Sequence, residues 1–262
     1  MTVLDARHTY PRLPHPPWRI PLLGDLFGFS SDMSSQSAME LARFGPIYEF
    51  RFLGARYVVA AGADAVVELN DETRFCKHVG PDIEALRLIG GDGLFTAYND
   101  EPNWLKAHQL LMPAFSQAAM RRYHAVMFDV ATELTERWDR RAGRGDTVDV
   151  PADTTRVTLE TIGRCAAGYS FGCYETDEPH PFVEHMVSAL KGSERVGVFR
   201  ASFLPAFVAR HYERRVRRDA TYLHELADEI VAKRRVGALG RHDDLLEIML
   251  ASDLDPANIR YQ

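Results

Sequence analysis

The chain of 262 residues has only three cysteines, four lysines and no long apolar run. Cys76, Cys165 and Cys173 are odd in number and match neither CxxC nor a zinc-ligand spacing. That excludes a disulfide framework and leaves buried, reduced thiols as the expectation. The longest uninterrupted apolar stretches, such as Tyr57–Ala61, fall far short of the roughly 20 residues a bilayer crossing requires. Met1–Arg12 carries charges and prolines but no apolar signal core, so the sequence predicts a cytoplasmic protein that does not span a membrane. There is no Gly-x-Ser-x-Gly elbow, and no cysteine lies near a histidine-rich segment, so a hydrolase has no nucleophile to start from. The 31 basic residues are 27 Arg and 4 Lys, a bias that reflects genomic composition more than chemistry, and a net charge of −6 speaks against a nucleic-acid partner.

What the chain does have is apolar mass. At 46% hydrophobic and 26% charged it is neither disordered nor of low complexity, and it can bury one sizeable core or two modest ones. Residues 10–21 hold too many prolines for helix or central strand and read as an extended arm. Serine caps followed by helical spacing predict a short helix over 34–44, stopped by Gly45-Pro46. Residues 47–52 alternate and 56–61 are β-branched, with Leu53-Gly54-Ala55 between them, which predicts a hairpin. Beyond it the pattern is helical: 63–69, 81–89, 102–111, 117–141, 151–169, 181–190, 207–235 and 242–251, with one further short strand at 147–150. A mainly α fold with a small β sheet is the class this supports.

On the 102–111 helix, Trp104 and His108 stand at i and i+4, so an indole N–H and an imidazole project from one face. Two such donors suit a ligand that presents carboxylates, although from spacing alone a packed tryptophan beside a satisfied histidine is the better reading. His224-Glu-Leu-Ala-Asp228 imitates a zinc-protease box but has Asp228 where the second histidine belongs, which makes coincidence on a solvated helix the better reading. The basic run Arg210–Arg218, with Lys233–Arg235, is diluted by acids and reads as a solvated face, with nucleic-acid binding as the alternative. Gly90–Gly93 lacks the spacing and the preceding strand of a nucleotide loop.

The order of the pieces carries a resemblance. The arm ends Ile20-Pro-Leu-Leu-Gly24, and after the hairpin come Asp71-Glu-Thr-Arg-Phe75 and Gly91-Asp-Gly-Leu-Phe-Thr96. Then follow Asn103-Trp-x-Lys-Ala-His-x-x-Leu-x-Pro-x-Phe-Ser-Gln117, Met120-x-x-Tyr-His124, Thr158-Leu-x-Thr-Ile-Gly163, Pro179-His-Pro-Phe182, Asp243-Asp-Leu-Leu246 and Asn258-Ile-Arg-Tyr-Gln262. This series resembles a cytochrome P450, and more narrowly the heme domain of soluble bacterial fatty-acid hydroxylases that are often fused to a diflavin reductase.

The resemblance implies heme b as cofactor, with electrons from NADPH through FAD and FMN of a flavoprotein reductase, and O2 and an apolar small molecule as substrates. It places Trp104 and His108 on the heme propionates, Lys77, Leu94 and Phe115 beside the heme, Phe95 over it, and Ile83, Leu86 and Leu190 along the substrate channel. The basic helix becomes an ordinary surface helix with no need of nucleic acid. A non-catalytic helical ligand-binding protein is the alternative.

Two departures stand out. The positions that hold the fatty-acid carboxylate in that subfamily are here Ala55 and Val59, and Arg56 faces the other side of its strand from Ala55. The family's iron ligand is a cysteine in F-x-x-G-x-R-x-C-x-G, and no cysteine here lies in such a segment. The string E-x-x-R occurs at Glu40/Arg43 and Glu84/Arg87, both in the wrong places. The expectation is therefore an incomplete heme domain over 1–262 (arm 1–32, hairpin 47–61, helical part 63–262), without catalytic residues or metal ligands of its own and inactive in isolation.

Overall fold

Ser116 shows how one of the long helices begins: its hydroxyl accepts the Ala119 backbone N–H at 3.3 Å and opens the 27-residue helix that follows. In a computed structural model of the protein, residues 12–17, 19–21, 23–25, 40, 43–52, 55–201, 206–240 and 242–262 are described. Residues 12–17 and 19–21 of the arm form neither helix nor strand, apart from a single bridge at Ile20, whereas most of the expected 34–44 helix and the Leu53-Gly54 turn lie outside the described residues. The chain divides into two units between Cys76 and Lys77.

The first unit holds strands β1 (Ile47–Phe52) and β2 (Ala55–Ala60), antiparallel in a register that sets Tyr48 opposite Val59 and Arg51 opposite Arg56. Phe50 stacks on Tyr57 across the pair at 4.8 Å between ring centres. On the other face the buried Glu49 accepts from Arg19 at 2.9 Å, Arg51 at 3.1 Å and Arg56 at 2.6 Å. Burial alone would raise the Glu49 carboxyl, but these guanidinium groups hold it below the ordinary range. The short helix α1 (Ala63–Leu69) follows.

The second unit is helical: α2 (Pro81–Gly90), α3 (Pro102–Leu111), a 3-10 turn at Met112–Phe115, α4 (Gln117–Gly143), α5 (Val150–Ala167), α6 (Pro181–Ala201), α7 (Ala206–Arg235), α8 (Leu245–Leu250) and α9 (Pro256–Tyr261). Helices α6 and α7 run antiparallel, since Asp219 meets Ser188 at 2.6 Å while Glu213 meets Arg200 at 2.8 Å. Helix α2 lies against both, around Ala85, Val196 and Val216. A second core joins Ala107 and Leu111 of α3 to Leu246 and Met249 of α8 and Ile259 of α9.

Fold class and most helix bounds match the sequence reading, and the exceptions have local causes. The 147–150 segment forms no strand, because Asp149 accepts the Ala152 N–H at 3.0 Å and starts α5 there. Helix α6 runs past the expected end at Leu190 to Ala201. Gly192 is a packing point: a Cβ there would stand 2.6 Å from a methyl of Val216. Helix α8 starts after His242 because Asp244 takes the cap, accepting from Glu247 N–H at 2.9 Å. The Asp255-Pro256 pair, capping through Ala257 N–H at 2.7 Å, opens α9, which sequence periodicity missed because it is a single short turn and a half. Among the described residues no helix is long and apolar enough to cross a membrane.

Of the cysteines, only Cys173 is buried; Cys165 is half-buried and Cys76 is exposed, against the expectation for all three. Cys76 is the last residue of the first unit.

Candidate functional site

The loop between α2 and α3 carries Leu94 and Phe95, and nearly every hydrogen-bonding group around it is used to fix it. Lys77 donates to the carbonyls of Leu94 at 3.1 Å and Phe95 at 3.4 Å. Arg87 of α2 donates to the Thr96 carbonyl at 2.8 Å and forks onto Glu101 at 2.9 and 2.6 Å, with its guanidinium over the Tyr98 ring. The Thr96 hydroxyl closes the loop onto the Gly90 and Gly91 carbonyls at 3.0 and 2.9 Å. Asp92 accepts from Asn103 of α3 at 2.6 Å and from Asn258 of α9 at 2.8 Å. Gln262 takes the Leu94 N–H at 2.9 Å. Glycine is required at 93, where a Cβ would stand 2.2 Å from the Tyr261 carbonyl oxygen.

Against this fixed loop stands the pair from α3. Trp104 and His108 stack at 5.0 Å and 18°, as i and i+4 neighbours should, and the Lys77 ammonium lies 5.8 Å from the Trp104 ring centre. Burial pulls the Lys77 ammonium below its ordinary value, opposed by Glu101. The half-buried Trp104 indole N–H has no acceptor among the described residues. Phe95 and Phe115 are 65% and 61% exposed, and Met112 and Leu105 are exposed as well. Donors and a cation beside uncovered aromatic rings fit a flat, apolar group with carboxylates at one edge, which is the chemistry of a heme and its propionates.

Leu94 and Phe115 also line an apolar cavity of about 330 Å³ that extends between α5, α7 and α8, with Ile162, Ala166, Ile230 and Met249 among its walls. Sequence reasoning missed these residues, since on paper they are indistinguishable from ordinary core. Of the residues expected at the site, the structure brings Lys77, Leu94, Phe95, Trp104 and His108 to one corner and sets Phe115 on the same cavity as Leu94. Ile83 and Leu86 stand half-buried on α2, and Leu190 stands exposed on α6; none of the three lines that cavity. Asp92, Glu101 and Asn258, which fix the loop together with Arg87, have no site role in the sequence reading; the one signal there is Asp92 set between Gly91 and Gly93.

The other sequence features are accounted for without a ligand. His224 donates Nε2–H to the Ile89 carbonyl at 2.6 Å, and Asp228 pairs with Arg260 at 2.8 Å, so the imitation zinc box is structural. Among the described residues no group of three or more potential ligands gathers around a metal position. Glu84/Arg87 is no functional pair, since Arg87 turns to Glu101. The Cys173 thiol is pushed up to about 12 by burial and the neighbouring Glu160, and burial raises Cys165 too, so neither is disposed to be a thiolate.

The cytochrome P450 family model matches residues 14–261. The chain is 38% identical over 252 residues to bifunctional cytochrome P450/NADPH–P450 reductase 2 of Bacillus subtilis, covering 92% of this chain and 23% of that protein. It is 37% identical over 248 residues to the bifunctional cytochrome P450/NADPH–P450 reductase of Bacillus cereus, with 92% and 23% covered. It is also 37% identical over 245 residues to a self-sufficient cytochrome P450 monooxygenase of Phanerodontia chrysosporium, with 92% and 22% covered. The chain thus spans less than a quarter of the length of these relatives.

Proposed function

The chain belongs to the cytochrome P450 family, and from that premise we propose that its residues 77–115 form the propionate edge and substrate-facing wall of a heme pocket. The reaction is hydroxylation of an extended apolar molecule, with a fatty acid as the leading class. The observation that carries this reading is the convergence of Lys77, the Leu94–Phe95 loop and the Trp104–His108 stack, donors on one side and bare aromatic surface on the other. A bound heme iron with a thiolate ligand and two electrons supplies oxygen insertion into an unactivated C–H bond.

The chain's own residues hold and shape. Trp104 and His108 donate to the propionates, and Lys77 adds charge there while anchoring the loop. Leu94 and Phe115 pack on the macrocycle, and Phe95, fixed through Arg87 and Asp92, restricts which substrate carbon approaches. Ile83, Leu86 and Leu190 supply apolar channel surface. Residues 1–262 are part of a heme domain, with arm 1–32, hairpin 47–61 and helical part 63–262, in a cytoplasmic protein served by a flavoprotein reductase that uses NADPH, FAD and FMN.

A carboxylate anchor of the usual kind is missing from this reading: Ala55 and Val59 carry no charge, and Arg56 is committed to Glu49 at 2.6 Å. None of the three cysteines is offered as the iron ligand, so the 262 residues alone do not hydroxylate. The test is a hemin titration followed by tryptophan quenching, with a carbon-monoxide difference spectrum of the reduced form. Removing either donor as Trp104→Phe or His108→Phe deletes a bond to a carboxylate, about 1.5–3 kcal/mol, or about 10- to 150-fold in hemin affinity. Unchanged affinity in the double variant overturns the site. A thiolate-type red-shifted Soret band from these residues alone overturns the inactivity.

A further inference from the structure

The arginine run of α7 has no part in the heme reading, and its geometry asks for a partner of its own. Between residues 210 and 218 the helix carries five arginines and His211, all exposed. At about 100° per residue, Phe207, His211, Arg214 and Arg218 follow one line along the helix, with Arg210, Arg215 and Arg217 to its sides. The two acids of the stretch face the other way. Glu213 pairs with Arg200 at 2.8 Å, and the buried Asp219 accepts from Ser188 at 2.6 Å and His185 at 3.1 Å. Arg210, Arg214, Arg215 and Arg217 therefore have no carboxylate partner among the described residues, and Arg218 reaches Asp219 only at 3.9 Å.

At the head of this cationic line stands Phe207, 68% exposed. The whole motif from Phe207 to Arg218 is about 17 Å long. On a protein of net charge −6 it is a local inversion of sign. The opposite, apolar side of α7 is spent on α6 and α2 through Val216, so the helix is rigidly mounted and has no apolar face left to insert elsewhere.

We propose that this face of α7 docks a compact acidic protein segment, one that presents carboxylates over about 17 Å with an apolar residue to cover Phe207. Guanidinium forks match carboxylates in pairs, and a buried aromatic at the end of a charged patch is the usual anchor of such an interface. The same line continues to Glu225, about 10 Å beyond Arg218, and the exposed Glu229 lies beyond that. An extended anionic plane or polyanion laid along the helix meets those acids, whereas a compact segment ends before them. That favours a protein over an anionic bilayer or a nucleic acid.

The inference does not depend on the heme reading. Its test uses fluorescein-labelled octaglutamate as probe, followed by anisotropy at low salt with the 262-residue chain. The triple variant Arg210→Glu/Arg214→Glu/Arg217→Glu is expected to lose at least tenfold in affinity. A control with the same charge change elsewhere, Arg121→Glu/Arg140→Glu/Arg235→Glu, is expected to lose no more than about threefold, as long-range charge is screened. Thermal melts of both variants show whether they keep the fold; the substituted side chains are exposed, and none of the three in the first variant has an ion-pair partner among the described residues. Equal losses in the two variants overturn the proposal. So does tighter binding of the wild-type chain to phosphatidylglycerol vesicles or to a DNA duplex than to the acidic peptide, if the α7 variant abolishes it.

Discussion

Asp92 is where the site loop is fastened to two helices at once, and removing its carboxylate is the sharpest test of how the loop is held. It accepts from Asn103 at 2.6 Å and Asn258 at 2.8 Å. Hydrogen bonds to a charged acceptor are worth about 1.5–3 kcal/mol each, and truncation of a half-buried group takes the lower end. Asp92→Ala also strips the buried Asn258 amide of its better partner, leaving the Asp92 carbonyl at 3.3 Å. The expected total is about 3 kcal/mol, or roughly 150-fold in the local opening constant. The loss is confined to one loop, so it is read best residue by residue. Native-state hydrogen exchange is the right readout. Thr96 and Ala97, whose N–H groups bond to the Gly93 carbonyl, should exchange about 100-fold faster, while the α6–α7 pair keeps its protection.

The same bonds set a pH dependence. Burial by itself would raise the Asp92 carboxyl, but the two amides and the Arg87 guanidinium outweigh it and hold it below its ordinary 3.8. A group with a lowered folded-state value stabilises above the unfolded value and loses that contribution as pH falls through the folded one. Loop protection should therefore be flat above about pH 5 and fall below about pH 4 in the wild type, with no such fall in Asp92→Ala. Unchanged exchange at Thr96 and Ala97 in the variant, or an equal rise across α6 and α7, would refute the argument.

Three other outcomes follow from the packing. Gly93→Ala, whose Cβ would stand 2.2 Å from the Tyr261 carbonyl oxygen, should displace α9 and lower the melting temperature by several degrees, about 2–4 °C per kcal/mol at this size, by circular dichroism. Arg234→Met breaks a buried pair with Asp244 at 2.6 Å and should cost about 3–5 kcal/mol, whereas adding Asp244→Asn, which keeps the helix cap, should recover part of it in urea titrations. A maleimide probe should label the exposed Cys76 at once, and the buried Cys173 only after unfolding, when mass spectrometry is used to count adducts.

The helical class, the hairpin and most helix bounds were legible in the sequence because they rest on local causes: periodicity over 117–141, proline at the start of 102–111 and the alternation of 47–52. The Trp104–His108 pair was legible as well, since residues four apart on a helix must share a face. Local rules erred where tertiary contact reverses their meaning. The helix expected to end at Leu190 runs on to Ala201, with Gly192 the place where α6 meets Val216. Cys76 reads as core and lies in the open. What the tertiary structure alone decided is the surroundings of the site. Asn258 and Gln262 reach a loop some 166 residues away in sequence, and Arg87 passes over the nearby Glu84 to take Glu101. The reason is physical: a side chain three or four positions away is set by helix geometry, but a partner across the fold is set by which helices bury their apolar faces together. The scarcity and spacing of cysteine excluded a disulfide framework. Only the packing showed that the lysine at position 77 is a loop anchor, and that Arg210, Arg214, Arg215 and Arg217 of α7 have no carboxylate partner among the described residues.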